Sequence, residues 1–167
     1  MGKKVLPDFG VLATSYKGKG WSADGIKKFV GGSVNSEDID DTCIVRISGP
    51  LNDAGQIIPV WSKKFATRIG NDGRWYGLRV DEFWPYMIDT YGQPTRSSKK
   101  PLDKKLFQGI RGIIGFKVSM FKGATGHFTL WDGFDLLYGG EDHDYFSIAD
   151  DAALWEAGTL RVSQPEA

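Results

Sequence analysis

The chain is poor in the residues that staple folds, ligate metals or span membranes. Among its 167 residues there are one cysteine and two histidines. A lone cysteine forbids an internal disulfide, which excludes the small secreted scaffolds held by such bridges. It equally excludes a cysteine-rich zinc centre, and two histidines offer little else to hold one, so neither metal nor cofactor is expected. Charge of one sign is also missing: 21 Lys+Arg balance 21 Asp+Glu. Nucleic acid as the main partner is therefore not expected, because phosphate binding needs an excess of cations on one face. No apolar run approaches the ~20 residues of a membrane-spanning helix. Lys3 and Lys4 are followed by no apolar stretch, so no signal peptide is read. The chain is expected to be made in the cytoplasm and exported, if at all, by a route that reads none. Repeats and low-complexity segments are absent as well.

What is present is an ordinary globular composition, 41% hydrophobic and 25% charged, of a length that suits one domain over residues 1–167 with a single core. The 22 glycines favour many tight turns over a helical bundle. Phe9, Leu12 and Tyr16 have the spacing of a short amphipathic helix. Ser22 is placed to cap a second helix carrying Ile26, Phe29 and Val30, ended by Gly31-Gly32. A third follows Asp40-Asp41-Thr42, with Ile44, Ile47, Leu51 and Ala54 on one face and Gly55 past its end. Gly49-Pro50 predicts a kink or break there, since an interior proline costs roughly 3 kcal/mol. Asp81 to Tyr91 reads as a fourth helix, capped by Asp81 and ended by Gly92. Gln93 to Asp103 reads as an exposed loop, with Lys99-Lys100 and Lys104-Lys105 on a solvated face. From Ile110 the pattern turns to strands: a run with Ile113, Ile114, Phe116, Val118 and Met120, then His127 to Trp131, with shorter candidates at Tyr145–Ile148 and Ala153–Trp155. Helices first and strands second predict an α+β fold with an antiparallel sheet.

Two residues stand out chemically. Cys43 opens the third helix, where unpaired backbone N–H groups favour a thiolate and can hold an oxyanion; Asp40 and Asp41 oppose the thiolate. His127 opens a strand after a glycine-rich turn and shares a face with Thr129 and Trp131. A cysteine–histidine pair needs a third group to orient the imidazole. If the chain reverses near Gly133 to Asp135, position 142 falls opposite His127. Asp142 is then the first choice, with Asp144 diagonal to it and Asp132 at the far end of the strand. His143 reads as solvated. The 13% aromatic content opens a second reading, a non-catalytic wall- or glycan-binding module with Trp75, Trp84 and Trp131 lining a groove.

Several stretches follow one another in a telling order: Pro7-Asp8-Phe9 with Leu12 and Tyr16; Phe29 to Val34 around Gly31-Gly32, as a turn before a short strand; Thr42-Cys43, then Arg46, Ser48, Leu51-Asn52 and Gly55; Ile58-Pro59; Gly112-Ile113-Ile114; Gly126-His127 with Leu130 to Gly133; and Leu154-Trp155. Together they resemble the type VI secretion amidase effectors of family 4, papain-like cysteine peptidases that attack peptidoglycan. The resemblance implies a papain-like fold, with N-terminal helices packed on a C-terminal antiparallel sheet. It makes Cys43 the nucleophile, His127 the general base and Asp142, ahead of Tyr145-Phe146, the third member. It implies hydrolysis of the D-glutamyl–meso-diaminopimelate amide in stem peptides. It also implies delivery by the type VI secretion apparatus into a rival's periplasm, and a cognate immunity protein. The chain departs from the family in an extended segment from Phe134 to Glu141 and in lacking the cysteine pair that some relatives carry near this hairpin.

Overall fold

Helices fill the first half of the chain and the main sheet the second, in the expected order. The structure, a computed structural model, describes residues 3–119, 126–139 and 144–158. Helix α1 (Phe9–Ser15) starts at Asp8, whose carboxylate accepts from the Val11 N–H, and α2 (Ala23–Val30) at Ser22, whose hydroxyl accepts from Gly25. Both caps satisfy an N–H that a helix start leaves unpaired. Gly31 (φ 68°) ends α2, but no strand follows: Gly32–Asn35 form a one-turn helix, α3. The glycine pair is needed because a hairpin, β1 (Thr67–Ile69) with β2 (Trp75–Gly77), lies against it. A Cβ on Gly32 would stand 2.6 Å from the Ile69 carbonyl oxygen.

Helix α4 (Cys43–Asp53) runs through Gly49-Pro50 without the expected break. Pro50 costs one hydrogen bond, but Ile44, Ile47 and Leu51 are fully buried on the same element. Each is worth about 1.5–3 kcal/mol, so packing outweighs the proline. The helix stops in a Schellman motif: Gln56 N–H reaches the Leu51 carbonyl at 2.8 Å and Gly55 N–H that of Asn52 at 3.0 Å, with Gly55 left-handed. Helix α5 (Val80–Tyr91) begins one residue earlier than read. Arg79 holds the cap position, and Asp81 lies in the first turn beside the positive helix end.

The main sheet has the order β3-β6-β4-β5, antiparallel throughout, from β3 (Arg96–Lys99), β4 (Gly112–Lys117), β5 (Gly126–Trp131) and β6 (Asp151–Glu156). Strand β3 lies inside the stretch read as a loop. It is an edge strand whose Arg, Ser and Lys side chains are the polar composition such an edge tolerates. The Tyr145–Ile148 stretch, read as a strand, is instead a one-turn helix, α6. Phe128, Leu130, Ile113 and Trp155 face α1, α4 and α5. Ile114, Phe116, Trp131 and Leu154 face the opposite way, onto Phe107 and Tyr145. The sheet is thus covered on both sides, with β5 at its edge against α4. No helix among the described residues is long and apolar enough to cross a membrane.

Candidate active site

Cys43 is the first residue of α4 and is buried. Its helix is fixed by its own polar residues, each of which bonds to a different neighbour. Ser48 accepts from the Gly77 N–H at 2.9 Å, and Asn52 bridges the Trp75 carbonyl and the Ile58 N–H, both at 2.8 Å. Arg46, 3% exposed, donates to Thr42 Oγ1 and to the carbonyls of Lys17, Gly18 and Trp21. The spaced pattern Thr42, Arg46, Ser48, Asn52 is therefore a set of anchors that holds the helix start in place.

The sulfur meets β5 at the main chain next to His127. Burial pushes the Cys43 thiol well above its ordinary range, and the Asp41 carboxylate adds to this. The Phe128 N–H aimed at the sulfur and the Arg46 charge pull the other way. The helix start alone therefore does not make a thiolate, and the resting group is a thiol that needs a base. Asp41 also accepts from the Cys43 N–H at 3.0 Å, so the amide expected to hold an oxyanion has a partner at rest. A prediction follows for the isolated protein. Alkylation of Cys43 is slow at pH 7 and accelerates only above the usual thiol range. Asp41→Asn, which removes the charge, moves that acceleration to lower pH. An unchanged profile of alkylation rate against pH in Asp41→Asn would show that burial alone sets the thiol.

His127 is 3% exposed. Its ring lies flat on Tyr145, with centroids 4.6 Å apart and planes 6° apart. Its Nε2 donates to the Tyr138 carbonyl at 2.7 Å. A carbonyl only accepts, so Nε2 carries the proton and, in the neutral ring, the basic lone pair is on Nδ1. Gly126 places the ring: a Cβ there would collide with the Phe116 carbonyl oxygen. Thr129, on the same face, pairs with the Tyr16 hydroxyl at 2.8 Å, and burial pushes that phenol well up.

Asp142 and His143 lie outside the described residues. Asp132 builds the turn after β5, accepting from Phe134 and Asp135 at 2.8 Å. Asp144 is exposed and precedes α6. The chain does reverse after β5, through the Trp131–Leu136 bridge, and among the described residues it brings the Tyr138 main chain to His127. Sequence reasoning missed Tyr138 because the atom that acts belongs to the main chain. Trp131 is fully buried, its indole N–H on the Phe107 carbonyl at 2.8 Å, so it lines no groove. Trp84 does: α5 and the ends of β3, β4 and β6 enclose a cleft of about 930 Å³ walled by Trp84, Pro85 and Val118 and edged by Lys117, Asp81 and Asp151. Lys117 Nζ sits 4.4 Å over the Trp84 ring, and that ring packs edge-on to Phe128 at 5.5 Å. The cleft thus begins one ring away from the residue whose N–H faces the thiol. No group of His, Cys, Asp and Glu among the described residues is arranged to hold a metal ion.

Fold and site define an α+β protein with a thiol at a helix start and an imidazole on the adjoining edge strand. The model of the family described as type VI secretion system (T6SS), amidase effector protein 4 (Tae4) matches residues 39–155, and the chain belongs to that family of amidase effectors. Solved structures agree along almost the whole length. The effector Tae4 from Enterobacter cloacae is 26% identical with a TM-score of 0.79, covering 94% of this chain and 100% of that one. Tae4 in the effector–immunity complex Tae4–Tai4 from Salmonella Typhimurium is 27% identical with a TM-score of 0.79, covering 91% and 99%. In the corresponding Enterobacter cloacae complex the values are 28% and 0.77, again covering 91% and 99%. A search of curated proteins finds no match.

Proposed function

We propose that this effector is a cysteine peptidase that hydrolyses the D-glutamyl–meso-diaminopimelate amide of peptidoglycan stem peptides. The observation that carries this reading is the burial of Cys43 at the start of α4, with its sulfur on the main-chain N–H next to His127. Nδ1 of His127 takes the thiol proton as sulfur attacks the amide carbonyl. The imidazolium then protonates the leaving amine, and water, deprotonated by the same ring, hydrolyses the thioester. The raised thiol is suited to this order, since proton removal and attack occur together. Asp142 is the acid proposed to balance the imidazolium. The oxyanion falls to N–H groups at the α4 start, where one donor is typically worth about 10²–10³ in rate.

The cleft beyond Trp84 supports a zwitterionic substrate. It offers an apolar wall with both ammonium and carboxylate groups at its edge, and the free end of diaminopimelate carries one charge of each sign. The whole chain is proposed to act as one domain, since the Phe9 and Gly158 main chains pair, joining its two described ends. In keeping with the family, the protein is proposed to be delivered by the type VI apparatus into the target's periplasm and to be blocked by a cognate immunity protein.

Digestion of two purified sacculi tests the bond. With diaminopimelate at the third position, mass spectrometry is expected to show stems ending at D-glutamate and free peptides beginning with diaminopimelate. Sacculi with lysine there should be cut at least about tenfold more slowly, one missing charged contact being worth roughly that much. Products ending at any other residue would overturn the assignment, as would sedimentation with sacculi and no new fragments, the outcome for a binding module.

A further inference from the structure

Arg46 and Tyr138 are linked in a way that the amidase reaction does not by itself require. Arg46 lies one turn past Cys43 on α4. Among the described residues its four hydrogen bonds go to neutral oxygens, three of them main-chain carbonyls of the Lys17–Trp21 loop. No carboxylate among the described residues forms a salt bridge with it. The guanidinium carbon lies over the Tyr138 ring, 4.3 Å from its centroid. A second contact runs alongside: a Cβ on Gly18, whose carbonyl Arg46 binds, would lie 3.0 Å from Tyr138 Cβ and 3.2 Å from the Leu137 carbonyl oxygen. The loop and the segment after β5 are thus in close apposition, and both are held by the same guanidinium. On the other side of this segment the Tyr138 carbonyl takes the His127 Nε2–H at 2.7 Å.

We propose that Tyr138 is a positioning residue, and that its ring, stacked on Arg46, holds its carbonyl where it fixes the Nε2–H tautomer of His127. The consequence is that one side chain on the cysteine's own helix sets the orientation of the base. The segment is tied to β5 up to Leu137, whose N–H bonds the Leu130 carbonyl at 2.9 Å. Guanidinium stacking on an aromatic face is directional, so at Tyr138, one residue further on, it resists rotation of the peptide that carries the carbonyl. With the anchor lost, the ring samples the other tautomer, whose Nδ1–H cannot accept the thiol proton. The hydroxyl of Tyr138 has no part in this.

The inference rests on His127 being the base, and the test separates the two. Tyr138→Phe keeps the stack, whereas Tyr138→Leu removes it and leaves the main chain. Tyr138→Leu is expected to lower kcat by about 10–100-fold, the scale of a displaced catalytic group, with KM within about twofold, while Tyr138→Phe stays within about twofold of the wild type. In ¹⁵N-edited spectra of the imidazoles, recorded in the Cys43→Ala background and assigned by loss of the signal in His127→Gln, the wild type and Tyr138→Phe should show the Nε2–H form. Tyr138→Leu should show both tautomers. A single Nε2–H form in Tyr138→Leu, or equal losses in Phe and Leu, would overturn the proposal. If no variant cleaves peptidoglycan, the reading of the reaction fails, and the spectra still decide whether Tyr138 sets the tautomer.

Discussion

Cys43→Ala lowers amide hydrolysis by at least about 10⁴-fold and His127→Gln by a similar factor, with the double variant no slower than either single one. Residues that act as one unit do not contribute additively, because the first loss already removes the covalent path. What remains comes from substrate binding and the oxyanion donors. Both effects are separable from folding. Cys43 is buried at the end of its helix, and trimming one sulfur costs about 1 kcal/mol, a shift of roughly 2–4 °C in a chain of this size. Glutamine at position 127 retains an N–H near the Tyr138 carbonyl, whereas alanine would also vacate the stack on Tyr145. Initial rates of fragment release, with melting temperatures alongside, check this. If His127→Gln kept more than a tenth of the wild-type rate, the imidazole would not be the base.

The two residues in that prediction are visible in the sequence for a simple reason: they are rare. One cysteine and two histidines leave little choice, and Thr42-Cys43 and Gly126-His127 sit at boundaries that glycine and turn chemistry mark. Four helices, α1, α2, α4 and α5, were legible from period and flanking residues, with Ser22 and Gly92 bonded or bent as their types predict, whereas α3 was read as a strand and Asp81 as a cap. The errors share a cause. Strand β3 carries Arg-Ser-Ser-Lys, which has no hydrophobic period because an edge strand needs only its backbone to pair. Tyr145–Ile148 is four residues long, too short for the apolar run to distinguish a helical turn from a strand. The hairpin β1–β2 lies in a stretch where no element was read, although Asn71-Asp72-Gly73 is a turn signal.

Roles carried by main-chain atoms were out of reach. A periodicity argument places side chains on faces, but it cannot say that the Tyr138 carbonyl is the acceptor for His127 or that the Cys43 N–H is occupied by Asp41. Nor can it tell that Pro50 is tolerated, since that depends on the tertiary burial of Ile44, Ile47 and Leu51. The same holds for Arg46. From sequence it is a charge on an amphipathic helix, normally solvated. Its burial makes sense only once three carbonyls of a distant loop are seen to converge on it.

That convergence yields the largest expected loss of stability. Arg46→Met fills much of the same volume and removes a buried charge. In an ion pair with a side chain, replacing both members by apolar groups can be neutral. Here the partners are the carbonyls of Lys17, Gly18 and Trp21, which no substitution removes. A buried acceptor left unpaired costs about 1–3 kcal/mol. With three carbonyls, the Thr42 hydroxyl and the Tyr138 stack all losing their partner, and water reaching some of them, Arg46→Met is expected to destabilise the fold by about 3–5 kcal/mol. That corresponds to a melting temperature lower by roughly 10 °C. Arg46→Lys supplies three donors from a point rather than a planar fork, so it recovers part of this and none of the stacking geometry. Urea denaturation of the three proteins measures the series, with the order wild type, lysine, methionine. A methionine variant within 1 kcal/mol of the wild type would mean that solvent already serves the loop carbonyls. The loop would then be held by packing against Gly18, with the guanidinium incidental to it.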